Sequence, residues 1–179
     1  FFVHVAEKSA IPLVRWSRRD EAVTGGKDIR DVTESYYDSD DADTFYSQIW
    51  GGEDLHVGIY EKTNDIGEAS SETVERMLSL LPPLEDGAKV IDLGAGYGGS
   101  ARRISQATGA DATCLNISET QNDTNRWKNR RAKLADKINV VHGIFEDVPT
   151  SDAAYDVAWS QDSFLHSDAR ERVLEEAFR

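Results

Sequence analysis

Val90-Ile-Asp-Leu-Gly-Ala-Gly-Tyr-Gly-Gly99 is a short apolar run that stops on a glycine-rich turn. Residues 89–93 suit one buried strand, and residues 100–108 behind the glycines read as a helix. The same rhythm continues downstream. Strands are expected at 112–116, 138–142 and 156–160, with helices at 118–134 and 168–178. Ser118-Glu-Thr-Gln121 has the spacing of a capping box at the start of the longer helix. Strand and helix in alternation predict a parallel sheet with crossover helices, an α/β fold of the Rossmann-like doubly wound kind. Four strands follow residue 88, fewer than such a sheet normally carries, and the chain stops at Arg179 inside a helix. C-terminal strands are therefore expected to be missing from it.

Upstream of residue 88 the texture differs. Residues 1–8 alternate like a strand, and a polar stretch from Ser17 ends in Gly25-Gly26. Ile29, Val32, Tyr36 and Tyr37 then fall on one helical face, and Phe45, Ile49 and Trp50 continue after an acidic break. Ser71 is placed to cap a helix carrying Val74, Met77, Leu78 and Leu81, with Pro82-Pro83 ending it. Three regions result: residues 1–27 as the tail of an upstream domain plus a linker, 28–87 as an N-terminal helical cap, and 88–179 as a truncated Rossmann-like half-domain.

Composition narrows the function. The chain has 179 residues, 39% of them hydrophobic, enough for one packed domain. No apolar run reaches the ~20 residues of a membrane span, and the first residues lack the basic leader of a signal peptide. A single cysteine, Cys114, excludes an internal disulfide and a cysteine-based zinc site, and no metal is expected. These features fit a cytoplasmic protein. Thirty-three acidic residues against twenty basic give a net charge of −13, which would repel a nucleic-acid backbone. The same acid excess reads either as plain solubility or as adaptation to high salt, as in a halophilic protein.

A glycine turn between strand and helix lets a ligand approach the backbone closely, but dinucleotide enzymes use one too. Asp92 favours another ligand. It lies two residues before Gly94, where a carboxylate would repel a pyrophosphate and welcome the methionine ammonium of S-adenosylmethionine. Gly94 and Gly96 would line the close approach. Asn116, twenty-two positions after Gly94, stands where a second-strand residue grips ribose hydroxyls. Gly143-Ile-Phe-Glu-Asp147 follows the third strand, with Phe145 able to pack on a purine and the Ile144 and Phe145 amides able to meet its edge. The plainer alternatives are a structural strand-turn-helix, a strand-end turn residue at Asn116 and a core aromatic at Phe145.

Asp-Leu-Gly-Ala-Gly-Tyr-Gly-Gly resembles the first motif of class I methyltransferases. Further phrases agree in order: Tyr46-Ser-Gln-Ile-Trp-Gly-Gly52, His56-Val-Gly58, Cys114-Leu-Asn-Ile-Ser118 with Gln121-Asn122, and Trp159-Ser-Gln-Asp-Ser-Phe-Leu-His166. Together, over residues 28–179, they resemble the sarcosine/dimethylglycine N-methyltransferases of glycine betaine synthesis. That resemblance implies S-adenosylmethionine as methyl donor, a small amine or amino acid as acceptor, and His56, Ile117, Gln121 and Gln161 as further cofactor-binding residues. It also makes Asn116 acceptable where many class I enzymes carry Asp or Glu. Residues 1–8 resemble the last strand of a glycine/sarcosine-type methyltransferase, which implies fusion to an upstream domain.

For the chemistry, Ser160-Gln161-Asp162 follows the fourth strand and would face the crevice. Asp162 would attract a substrate ammonium, Gln161 would hold the cofactor or the substrate by hydrogen bonds, and His166 would accept the amine proton. A similar Asp…His segment, with a closing tyrosine from the N-terminal helix, occurs in the phosphoethanolamine methyltransferases, and that resemblance implies Tyr37 as the closing residue. A quaternary ammonium product would suit an aromatic enclosure of Tyr46, Trp50 and Trp159. Ordinary packing is the competing reading for His166, Tyr37 and both tryptophans. A phosphoethanolamine-type or other small-molecule methyltransferase, and an inactive truncated fragment, stand as alternatives. A nucleic-acid amine methyltransferase would carry Pro-Pro-aromatic after the fourth strand, where this chain has Gln161-Asp162-Ser163.

Overall fold

The computed structural model describes residues 2–4, 29–39 and 53–179. The elements are β1 (Phe2–His4), α1 (Ile29–Tyr37), α2 (Ile66–Leu78), β2 (Lys89–Leu93), α3 (Gly99–Thr108), β3 (Asp111–Asn116), α4 (Glu119–Arg131), β4 (Ile138–His142), β5 (Val157–Trp159) and α5 (Arg170–Phe178). A single 3-10 turn, Phe164–His166, stands between β5 and α5. The sheet runs β1-β5-β2-β3-β4. Strands β2 to β5 are parallel, and β1 closes the β5 edge antiparallel, Val3 opposite Ala158. The parallel Rossmann-like sheet expected from the alternation is present. The strand expected at residues 1–8 is described over Phe2–His4 and lies on this same sheet.

Side-chain alternation along the strands builds two faces. Val90 on β2 with Val157 and Trp159 on β5 points to one, where Val74 of α2 and Ile104 of α3 cover it. Ala112 and Cys114 of β3 pack on that side with Ala101 of α3. Ile91, Leu93, Leu115 and Ala158 point the other way, against Val148, Phe164 and Ala177 of α5. Both faces of a parallel sheet are covered in this way, so its strands read as nearly continuous apolar runs. Burial pushes the Cys114 thiol up to about 12, which leaves it inert.

Two capping expectations change. The N-cap of α2 lies six residues before Ser71, at Asp65, whose carboxylate accepts from the Glu68 N–H at 2.9 Å. Ser71 lies inside the helix, its hydroxyl bonded back to the Gly67 carbonyl. The helix closes at Leu78, before the prolines, and Leu81 reaches the core from beyond its end. At α4 the Ser118 hydroxyl accepts from the Gln121 N–H at 3.2 Å as expected. The Gln121 side chain does not complete the box. Its Oε1 accepts from the Asn116 side-chain amide instead, at 3.0 Å.

Candidate active site

A cleft opens over the carboxyl ends of β2 to β5, the usual ligand position in an open α/β sheet. Its floor is the glycine turn. Gly94 and Gly96 have φ of 84° and 52°, and a Cβ on Gly94 would collide with the Ser163 side chain. The Gly94 and Ala95 N–H groups both donate to the Leu115 carbonyl, at 2.9 and 3.1 Å, which ties the turn to the end of β3. Asn116, Ile117 and Gln121 form the next wall, where the Asn116–Gln121 amide bond orients both side chains. Gly143, Ile144, Phe145 and Glu146 form the third, with Phe145 edge-on to Phe164 at 5.7 Å between ring centroids. Gln161, Asp162, Ser163 and His166 complete it from the segment after β5.

Tyr37 and Thr33 of α1 face this cleft from the far side. The Tyr37 hydroxyl lies 3.0 Å from His166 Nε2, and the two rings meet edge to face. Burial holds the His166 imidazole below its ordinary value and favours its neutral form, and the tautomer of that form sets which of the two groups donates. Helix α1 is held there at its end. Asp38 Oδ1 accepts from the Ser118 hydroxyl at 2.5 Å and from the Thr120 N–H at 3.4 Å, at the start of α4. One acidic residue thus ties the Tyr37 helix to the Asn116–Gln121 wall.

Residues 53–58 cross over the glycine turn. Glu53 accepts from Arg102 and Lys128, each at 2.6 Å; Leu55 reaches the cleft beside Gly96; and the Val57 N–H donates to Asp162 Oδ2 at 2.8 Å. Asp162 adopts φ 51°, unusual for a residue with a Cβ, and uses one carboxylate oxygen as this latch. Behind the turn lies a buried group of three. His56 Nε2 stands 3.5 Å from Asp54 Oδ1, and Asp92 is close enough for both to influence it. Burial, opposed by His56 and aided by Asp54, pushes Asp92 up to about 7. Hydrogen bonding and charge from Asp54 outweigh burial and raise His56, while His56 and Arg103 lower Asp54.

The cleft therefore gathers Gly94, Gly96, Asn116, Ile117, Gln121, Ile144, Phe145, Gln161, Asp162, His166 and Tyr37 from the sequence-derived set. Three others do not line it. Asp92 is 3% exposed and follows Val90 in alternation, on the α2/α3 side of the sheet and within electrostatic reach of His56 and Asp54. His56 is buried in the same group. Trp159 is fully buried in the core under α2 and α3, and its indole N–H donates to Gln161 Oε1 at 2.8 Å. Tyr46 and Trp50 lie outside the described residues. Gly143 and Glu146 belong to the segment expected at this wall, whereas Thr33, Leu55 and Ser163 line the cleft without having been singled out. Thr33 precedes Tyr37 by four positions, a helical spacing that marks it once Tyr37 is chosen. Leu55 and Ser163 carry no comparable signal.

Residues 91–179, from β2 to the end of α5, match the family described as methyltransferase domain. The chain carries a methyltransferase domain. This methyltransferase domain and the residues before it align along their whole length with the glycine/sarcosine/dimethylglycine N-methyltransferase of Actinopolyspora halophila, at 46% identity, covering 31% of that protein. The sarcosine/dimethylglycine N-methyltransferase of Aphanothece halophytica is 53% identical over 82% of this chain and 53% of its own length. A solved structure from Galdieria sulphuraria, provisionally a sarcosine dimethylglycine methyltransferase, superposes with a TM-score of 0.71 at 46% identity, covering 79% of this chain and 54% of that one. The chain thus spans about half of two of these proteins and a third of the other.

Proposed function

We propose that the chain is the cofactor-binding part of an S-adenosylmethionine-dependent N-methyltransferase that acts on sarcosine or dimethylglycine in glycine betaine synthesis. The observation that carries the reading is the Tyr37–His166 hydrogen bond at the mouth of a cleft floored by the glycine turn. It puts a neutral proton acceptor beside the place where a small amine would sit.

The residues present fit the cofactor. The turn is a cradle that a Cβ at Gly94 would spoil. The Asn116 and Gln121 amides suit ribose hydroxyls, the Ile117 backbone adjoins them, and Ile144 and Phe145 suit an adenine. Asp92 and His56 lie in the buried group behind the turn and do not line the cleft. When bound, S-adenosylmethionine supplies a methyl group activated on a sulfonium sulfur.

The chain supplies the rest. A substrate amine enters as an ammonium and must lose a proton before its lone pair can attack. With the phenol donating to Nε2, the Tyr37 oxygen accepts the amine proton as its own hydrogen passes to His166, which burial keeps neutral and ready to take it. The latch from Asp162 to Val57 and the Leu55 side chain narrow the cleft over the turn and limit water. The second Asp162 oxygen favours a cationic amine nearby.

The identity of 46% to 53% with proteins named for sarcosine and dimethylglycine supports this acceptor class. The longer Actinopolyspora halophila protein aligns with the first residues too, which supports an upstream methyltransferase joined through residues 1–27. The −13 charge suits a salt-rich cytoplasm in which betaine is a compatible solute. Methyl transfer from labelled S-adenosylmethionine to glycine, sarcosine, dimethylglycine and phosphoethanolamine, assayed in parallel, tests the reading. Sarcosine or dimethylglycine should be methylated; methylation of phosphoethanolamine alone refutes the acceptor, and binding of NAD in place of S-adenosylmethionine refutes the cofactor.

A further inference from the structure

The Gln161 side-chain amide has its orientation decided by its neighbours. Its Oε1 accepts from the Trp159 indole N–H at 2.8 Å and from the Ser100 hydroxyl at 2.6 Å. An indole nitrogen only donates, so turning the amide over would set N–H against N–H. Nε2 must therefore point away from the tryptophan. It is buried there without a hydrogen-bond partner among the described residues, on a side chain that lines the cleft beside Gly94 and Ser163. A buried amide donor left unpaired destabilises the site that holds it, and a ligand acceptor would relieve that.

The cleft walls narrow the choice of acceptor. Among the described residues no lysine or arginine lines them, so an anionic group beside Gln161 would be met by neutral donors. We propose that Gln161 Nε2 donates to a ligand carboxylate, with Trp159 and Ser100 as positioning residues that aim it. This rests on the reading above, in which both the cofactor and the acceptor carry an amino-acid carboxylate. Trp159, expected at first as part of an aromatic enclosure, then acts through one N–H and from within the core.

Gln161→Glu isolates the point, because it keeps an oxygen for Trp159 and Ser100 and exchanges only the donor for a repelling acceptor. The variant, made in the natural full-length polypeptide, is titrated calorimetrically with S-adenosylhomocysteine and with 5′-methylthioadenosine, which lacks the amino-acid tail. The KM for sarcosine and for dimethylglycine is measured alongside. Weakening by about tenfold or more is expected, the loss of one charge-assisted hydrogen bond. If S-adenosylhomocysteine weakens while 5′-methylthioadenosine does not, the carboxylate is the cofactor's. If only the acceptor KM rises, it is the substrate's. Trp159→Phe should reproduce the same selective pattern in milder form, which a general packing defect would not. Equal weakening of both nucleosides, or no change in any ligand, overturns the proposal. Wild-type protein that binds neither nucleoside overturns the functional reading itself, and this proposal with it.

Discussion

Tyr37 Oη and His166 Nε2 stand 3.0 Å apart although 129 positions separate them in the chain. Burial holds the imidazole below its ordinary value and favours its neutral form; in the tautomer with its hydrogen on Nδ1, Nε2 accepts from the phenol. Tyr37→Phe keeps the ring contact and removes the hydroxyl. The kcat for methyl transfer should fall about tenfold, with S-adenosylmethionine affinity unchanged, because the bond bears on proton acceptance and not on the cofactor walls. His166→Ala should cost about a hundredfold or more. Steady-state kinetics with calorimetric binding separates the two effects, and a loss of affinity without loss of kcat would assign the pair to binding.

The same pair sets a pH dependence. The imidazole has to be neutral to take a proton, and burial lowers its pKa from the ordinary 6.5. Activity should therefore rise with pH through a midpoint below 6.5 and be nearly full at neutrality, as far as His166 controls it. A log kcat profile reports this limb, and in His166→Gln it should be absent. A limb centred above 6.5 that survives in the variant would belong to another group.

Asp38 should matter for catalysis without touching a ligand. Its carboxylate ties the end of α1 to the Ser118 hydroxyl and the Thr120 N–H. Asp38→Ala releases that end and should reduce kcat about as far as Tyr37→Phe does. The double variant should be little worse than either alone, because both act through the Tyr37–His166 bond. Simple additivity in a double-mutant cycle would show that Asp38 works elsewhere.

The buried Asp92 makes a prediction about stability. Its carboxyl is pushed up to about 7, chiefly by burial, from 3.8. Between those values the folded chain holds a proton that the unfolded chain has released, so this group's contribution to stability is present below the lower value and is lost as pH rises through the upper. Asp92→Asn carries no proton to lose. Its melting temperature should match the wild type near pH 4, then gain on it as pH rises to about 8. A gap that is constant with pH would mean that Asp92 stays ionised throughout.

Much of the fold was legible because its signals are local. The apolar run 89–93, the glycines behind it and the Ser118 cap each reflect interactions within a few residues, and β2, α3 and α4 formed close to where they were expected. The errors came where a nearby competitor won. Asp65 took the cap expected of Ser71, and Asn116 took the Gln121 side chain from the capping box. The β2 and β3 positions of the site were visible for a related reason: a ligand at the end of a parallel sheet is held by strand-end residues, and strand ends can be counted.

The sequence by itself determined the order of strands and helices, the glycine turn and the acidic balance, since backbone propensity, side-chain period and charge are properties of neighbouring residues. The tertiary structure alone decided what faces what. It set Asp92 beneath the turn, because β-strand alternation puts it on the face that α2 and α3 cover. It drew Asp162 into a latch on Val57, and it aimed Gln161 through a tryptophan in the core. It brought Tyr37 to His166 by docking α1 on the start of α4. Each of these depends on which buried surfaces pack together and where a polar group then finds its partner. That is settled only when distant segments have met.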